Sequence, residues 1–517
     1  MTQPPISRRA GGPVRAERRY LPAGRFIDLV LDAGTWRSWD EPRPRDLDPG
    51  GVATEVAAAG QVIGADEALI TGEGRLRGTP VAMVVGEFGF LGGSVGVVAA
   101  ERLIAAVERA TAERLPLLAS PSSGGMRVQE GTAAFVRMVG MAGAITRHKA
   151  AGLPYLVYLR HPTTGGALAS WGSLGHVTFA EPGALLGFIG PRVYEQLDGH
   201  PFPEGVQTAE NLHAHGLLDG VVAPEGFAEV AATVLEVLQG PEEGPAGRTA
   251  AAVATFQRPR NVPAWESVTR SRRLDRPGVR TLLQIAAHDV TVLDGSGAGG
   301  ADPGLVLALV GFNDVRCVVL GQDRHAQRTF GPIGPVGLRK ARRGMRLAAE
   351  LRLPLVTVVD TPGAALSRQA EESGLAAQIA RCLASLLSHP QPTLSVLLGE
   401  GTGGAAIALL PADRTIAAQH AWLSPLPLEG ASALLYRTTD RAAQVARAQG
   451  IRSLDLLRLG MVDRIVGEYP DAADEPGAFC RRLGRAISDE LRRLPRGAAA
   501  SRISARHRRY RNVGAPR

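Results

Sequence analysis

The stretch His161-Pro-Thr-Thr-Gly-Gly-Ala-Leu-Ala-Ser170 decides the fold, together with its echo Gly399-Glu-Gly-Thr-Gly-Gly-Ala-Ala-Ile-Ala408. Each follows an apolar, β-branched-rich run, Leu153-Pro-Tyr-Leu-Val-Tyr-Leu159 or Leu394-Ser-Val-Leu-Leu398, and opens onto small residues. That order predicts a buried strand, a glycine turn and the start of a helix. A Gly-Gly pair there lets backbone come close to a ligand and aims amide hydrogens at it, where the helix dipole also favours negative charge. The chemistry such a turn offers is an oxyanion hole.

One Gly-Gly is more often an ordinary turn than a site, and the second copy is what changes the reading. Gly166 and Gly404 are 238 residues apart. The same offset carries Gly125 of Ser122-Ser-Gly-Gly125 onto Gly363 of Asp360-Thr-Pro-Gly363, Leu115-Pro-Leu117 onto Leu353-Pro-Leu355, and Gly93 and Gly96 onto Gly331 and Gly334. The chain is therefore read as a tandem repeat of α/β units. Its 517 residues fit that reading, because one hydrophobic core rarely grows past about 250–300 residues.

Charge placement argues against nucleic acid. The net charge is +8, but residues 1–19 carry +4 and residues 481–517 carry +10, so the body between them is net −6. A groove for phosphates needs basic charge on the folded surface. The chain has two lysines, Lys149 and Lys340, so its arginine content looks like whole-chain bias. Cys317, Cys382 and Cys480 are far apart and form no CxxC pair, which excludes a disulfide framework or zinc ribbon and suggests reduced thiols in cytoplasm. No run of about 18 apolar residues offers a membrane span, and Arg8-Arg9 is followed by Ala-Gly-Gly-Pro rather than an apolar signal segment. No metal site is expected.

Taken along the chain, residues 1–19 read as a disordered basic tail and 20–238 as the first domain. Within it, a short helix closes at Gly34, a strand carries Trp36 and Trp39, and Val81–Val85 is a strand buried on both faces. Residues 239–275 have linker composition, 276–491 form the second domain, and 492–517 a basic arm that is disordered or contacts a partner. Ser122-Ser-Gly-Gly125, between a strand and a helix, reads as a phosphate- or pantetheine-binding turn or an ordinary strand-to-helix turn. Asp360 is read as a cap or turn residue before a metal ligand or base. His161 is tempting as an acid or base, yet a lone histidine is more often structural. Two backbone anion holes without a nucleophile or triad point to a reaction passing through two oxyanions.

Phe90-Leu-Gly-Gly-Ser-Val-Gly96, Ser123-Gly-Gly-Met-Arg-Val-Gln-Glu-Gly131, Pro162-Thr-Thr-Gly-Gly-Ala167 and Ala180–Arg192 resemble the β-type half of biotin-dependent acetyl-CoA carboxylase carboxyltransferase. Asp360–Ala364, Gly399–Ala405 and Ser424-Pro-Leu-Pro-Leu-Glu-Gly-Ala431 resemble its α-type half. The whole is similar to the single-chain acyl-CoA carboxylase β subunits of actinobacteria. The resemblance implies two tandem crotonase-like ββα-spiral domains, and CO2 transfer from carboxybiotin on a carrier protein to the α-carbon of acetyl-CoA or another short acyl-CoA, giving malonyl-CoA. It implies no covalently bound cofactor, a biotin carboxylase or biotin carboxyl carrier partner, and a dimer-based homo-oligomer, usually a hexamer.

Position by position, it implies that Gly165 and Gly166 hold the thioester enolate, and Gly404 and Ala405 the biotin ureido oxygen. The biotin nitrogen freed by decarboxylation takes the α-proton, so no protein base is required. Ser123, Gly124, Gly125 and Arg127 are expected toward CoA, and Gly403, Ala406 and Ile407 in the acyl or biotin pocket. Two stretches depart from the family pattern: Leu366-Ser-Arg368 stands where a second Pro-Gly is usual, and Arg324-His-Ala-Gln-Arg-Thr-Phe330 does not match the usual approach to the second turn. The alternatives are a biotin-independent malonyl-type decarboxylase and a non-catalytic scaffold or regulatory subunit.

Overall fold

A computed structural model describes residues 20–42, 53–188, 190–191, 194–195, 199–239, 260–297, 299–495 and 498–511. Each half is a twisted sheet that begins with an antiparallel hairpin and continues in parallel strands. In the first half the hairpin is Leu69–Leu76 with Thr79–Gly86, followed by Leu117–Ser120, Tyr155–Leu159, Val177–Ala180 and Gly220–Val221; Arg37–Ser38 lies at the edge. In the second half Leu305–Phe312 pairs Val315–Gln322, and Leu355–Thr361, Thr393–Thr402, Arg414–Ala418 and Arg464–Val466 follow in parallel.

The parallel strands read as continuous apolar runs because helices cover the sheet. The helix Val97–Ala112 buries Leu103, Ala106, Val107 and Ala110, the spacing expected of one helical face. The first helix, Ala23–Val30, packs Phe26 on Tyr158 and Phe227 at centroid distances of 5.2 and 5.9 Å. The helix Pro224–Gln239, which carries Phe227, also touches the second sheet, so one buried cluster runs through both halves.

The repeat holds at the level of hydrogen-bond register. Leu117 pairs Tyr155 and Leu355 pairs Thr393, both shifted by 238. The lone parallel bridge Val95–Met126 recurs as Ile333–Ala364, and Ser123–Thr163 recurs as Thr361–Gly401. The hairpins are offset by 236 instead, since Leu69–Gly86 corresponds to Leu305–Gln322. Two extra residues therefore enter the second half between Gln322 and Gly331, where the helix Arg324–Phe330 lies. That insertion is the physical content of the second departure noted in the sequence.

Two boundaries differ from expectation. The proposed linker 239–275 is folded from residue 260 on; the helix Ala264–Ser271 buries Ala264 and Val268 against Trp422, Leu428 and Ala431, and Ser271 Oγ accepts from Trp422 Nε1 at 2.8 Å. Its linker-like composition concealed a short amphipathic helix whose partner lies about 150 residues away in sequence. The basic arm is also docked. The helix Ala499–Arg511 places buried Arg506 on Asp413 and on the carbonyls of Leu386 and His389, while Tyr510 Oη accepts from Ala412 N. Residues 1–19 and 240–259, expected as tail and linker, lie outside the described residues.

Candidate active site: two equivalent glycine turns

Each turn stands at the end of a buried strand. After Tyr155–Leu159 the chain passes Thr163–Thr164 and enters the helix Gly165–Ala169; after Thr393–Thr402 it enters Gly403–Ile407. Gly165 and Gly403 have φ of 61° and 63°, a left-handed conformation that glycine reaches without strain, and this turns the next amides outward. The four leading N–H groups of a helix have no intrahelical acceptor.

Of the four residues expected at the holes, Gly166 and Gly404 stand at matching places in the two turns. They are equivalent under the 238 offset and both are partly accessible. Gly165 N–H donates to the Phe188 carbonyl at 2.9 Å, so it is not available to a ligand in this structure. Ala405 is fully buried, and its carbonyl accepts from Gln322 Nε2 at 2.7 Å. Of the four, Gly166 and Gly404 are thus the partly accessible pair related by the 238 offset. A side chain at either position meets packed neighbours: a Cβ on Gly166 would lie 2.7 Å from Met126 Cγ, and one on Gly404 2.7 Å from Ile379 Cδ1.

The residues expected toward CoA have no free donor. Ser123 N–H goes to the Pro162 carbonyl, Gly124 N–H to the Gly92 carbonyl, and Gly125 N–H to Ser123 Oγ. The turn instead braces the first hole, with Gly125 backbone against Gly165. Arg127 is buried and all five of its guanidinium hydrogens are engaged: by Glu67 through both terminal nitrogens, Glu130, and the carbonyl and hydroxyl of Ser94. It is a structural ion-pair centre and not a ligand for phosphate. The sequence could not show this because Glu67 is 60 residues upstream.

Around the second turn, Ala406 is buried in the core, whereas Ile407 is 40% exposed beside Gly404. Gly403 is partly accessible. Of the three expected pocket residues, Ile407 therefore presents a side chain to the open side.

Comparing equivalent positions explains Asp360. Its counterpart in the first half is Ser122, and the counterpart of Glu400 is Pro162. Asp360 Oδ1 accepts from Glu400 N–H at 3.1 Å and so anchors the approach to the second turn. Pro162 has no N–H to give, and there Ser122 Oγ donates to the His161 carbonyl at 3.0 Å instead. Asp360 is wholly buried, and that burial pushes its carboxyl pKa up, against the opposing pull of Arg324 and Arg276. Burial also raises Glu400, which Arg272 counters at 3.2 Å. Asp360 is therefore not the helix cap or turn residue expected: it lies within the strand Leu355–Thr361 and holds the backbone of the neighbouring strand. His161 is structural too, its Nδ1 accepting from Leu185 N–H at 3.1 Å.

Arg160 fixes the strand end beneath the first turn. It donates to the Leu21 and Ser120 carbonyls and to Ser120 Oγ, and complete burial pushes its pKa down to about 10. Neither Arg160 nor Arg324 was singled out by pattern, because isolated arginines in an arginine-rich chain carry no signal. The three cysteines are free and buried, and burial pushes the Cys382 and Cys480 thiols up to about 12 and 11. Among the described residues, no three His, Cys, Asp or Glu side chains are grouped to hold a metal ion, and no helix is long and apolar enough to cross a membrane.

Residues 27–495 match the family described as Carboxyl transferase domain. The chain is 58% identical to the probable biotin-dependent acyl-coenzyme A carboxylase beta3 subunit of Mycobacterium tuberculosis, over 94% of this chain and 97% of that protein. It is 36% identical to the acetyl-coenzyme A carboxylase carboxyl transferase subunits beta/alpha of Salinispora arenicola, over 97% and 92%. Among solved structures it superposes on transcarboxylase 12S with a TM-score of 0.71 at 21% identity, each chain 90% covered. The expected fold, two tandem crotonase-like ββα-spiral domains, is the one observed.

Proposed function

Because the chain belongs to the carboxyl transferase domain family, we propose that it is the carboxyltransferase component, of single-chain β/α type, of a biotin-dependent acyl-CoA carboxylase. Carboxybiotin on a partner carrier supplies CO2, and the acceptor is the α-carbon of an acyl-CoA, with acetyl-CoA, which yields malonyl-CoA, as the first candidate. The observation that carries this reading is the matched pair of partly accessible helix-start glycines, Gly166 and Gly404, each at the end of a buried strand.

Gly166 N–H is assigned to the thioester oxygen, which gains charge as the enolate forms. Gly404 N–H is assigned to the biotin ureido oxygen, which gains charge when CO2 leaves. A donor aimed at developing charge lowers the barrier because it needs no reorganisation during reaction. Ile407, next to the second donor, is assigned to limiting acyl length.

A second copy completes the site in this reading, the first half of one subunit facing the second half of another. Support comes from apolar side chains exposed in both halves: Val128, Phe135 and Val139 in one, Leu366, Leu434 and Leu435 in the other. The transcarboxylase 12S neighbour is described as a hexamer assembly, and a dimer-based hexamer acting in the cytoplasm is the arrangement we propose.

The test is the reverse reaction: the purified chain is incubated with malonyl-CoA and free biotin, with and without its biotinylated partner, and acetyl-CoA formation is followed. A folded oligomer inert in both arms overturns the proposal. Carbon dioxide release without biotin reassigns the chain as a decarboxylase.

A further inference from the structure

A cavity of about 550 Å³ lies at the seam between the halves, lined by residues of both. That volume is in the range of about 300–1,000 Å³ typical of small-molecule sites. Seven leucines line it, among them Leu159, Leu168, Leu186 and Leu212. Three cations stand on it, Lys149 from the first half and Arg343 and Arg346 from the second, against one acid, Asp219.

The charges are not equally committed. Arg343 is bound to both Asp219 oxygens at 2.6 and 2.7 Å and to the Gly295 and His176 carbonyls, so that pair staples the seam. Lys149 faces Glu350 at 3.2 Å and the Leu174 carbonyl at 3.1 Å. Arg346 is exposed and pairs with no acid among the described residues. An aliphatic hollow with one uncommitted cation at its edge suits a molecule with one anionic head and an apolar chain. A nucleotide is a poor match, since Phe188 is the one aromatic ring in the lining and a polyphosphate needs several convergent donors.

We propose that this seam cavity binds an aliphatic carboxylate, its head at Arg346 and its chain against the leucines. A free fatty acid supplies that chemistry; a fatty acyl thioester of CoA does not, since its carboxyl is neutralised and its head is a nucleotide polyphosphate. Occupancy reaches the first glycine turn by contact. Leu168 belongs to the helix Gly165–Ala169, and Gly187 and Phe188 line the cavity while the Phe188 carbonyl holds Gly165 N–H. A ligand there presses on the element that presents Gly166.

The test is equilibrium binding by calorimetry on the full-length chain, which does not depend on carboxyl transfer being its activity. Probes are dodecanoate, dodecanol and dodecanoyl-CoA; variants are Arg346→Glu and Leu212→Trp, each checked for melting temperature and oligomeric state. The expected result is saturable dodecanoate binding, weakened at least tenfold by Arg346→Glu, weakened by filling the hollow in Leu212→Trp, and much weaker for dodecanol. Should Leu212→Trp not fold, the Arg346→Glu and dodecanol arms decide. Binding of dodecanoyl-CoA with none of dodecanoate overturns the carboxylate head proposed at Arg346. Absence of dodecanoate binding, equal binding of dodecanol, or affinities untouched by Arg346→Glu overturns the proposal.

Discussion

At the residue scale, the two holes reduce to Gly166 and Gly404, and proline is the sharpest probe of them. Both sit in the first turn of a helix, where proline removes a donor without breaking an intrahelical bond. Gly404→Pro should therefore lower kcat for carboxyl transfer by about 10²–10³, the typical cost of one oxyanion donor, with the oligomer intact by size-exclusion chromatography. Unchanged turnover would leave Gly404 without the role proposed. Ile407→Ala should move preference toward longer acyl-CoA substrates, and a shift of about tenfold or more in kcat/KM ratio across a chain-length panel is the size expected when a pocket wall loses carbons. Arg127 makes the opposite prediction. Arg127→Met leaves Glu67 and Glu130 facing one another in a buried site, which should cost about 3–5 kcal/mol of stability by denaturant titration. The equivalence of Gly404 with Gly166 was legible from the repeat alone. The Arg127 role was not, because a motif shows which residues are adjacent in sequence and not which acid fills the space opposite.

At the scale of elements, the docked C-terminal helix and the helix 324–330 show where composition misleads. Thirteen residues with three arginines in the last turn read as a solvated basic arm, yet Arg506 is buried among carbonyls of 386–391 and the Asp413 carboxylate. Those carbonyls lie in the last turn of the helix Leu375–Leu387 and just beyond it, where acceptors lack intrahelical donors. Arg506→Ala should destabilise the chain by several kcal/mol in the same titration, since Asp413 loses its partner, and a chain ending before residue 499 should show the same loss. A truncation that melts like the full-length chain would return the arm to the solvated state that composition suggested. The strand–turn–helix units and the buried strand Val81–Val85 were readable, because period and composition are local properties of the chain.

For the whole molecule, stability should fall on mild acidification. Burial pushes His148 down to about 4 and His389 to about 3, the latter helped by Arg506 and Arg502, and burial lowers His176 as well. These folded-state values lie below the ordinary histidine value of about 6.5, so the unfolded chain binds more protons from there down toward 4. Stability is thus fully present above pH about 6.5 and drains away as pH falls through that window. His389→Leu, which removes a buried ring nitrogen without a hydrogen-bond partner, should flatten the dependence of melting temperature on pH between 6.5 and 4. An unchanged slope would place the acid sensitivity elsewhere.

The sequence by itself determined the tandem architecture and the two turns, since 238-residue periodicity, apolar strand runs and Gly-Gly pairs are written in residue order. It also held the equivalence of Gly166 with Gly404. Tertiary structure decided which amides are available: Phe188 takes the Gly165 hydrogen, core packing closes over Ala405, and the turn at 123–125 uses all its donors on itself and its neighbours. It also decided that the halves meet over Asp219 and Arg343, and that a leucine-lined hollow remains between them. Hydrogen-bond competition and burial depend on which groups converge from distant parts of the chain, and no local pattern encodes that convergence.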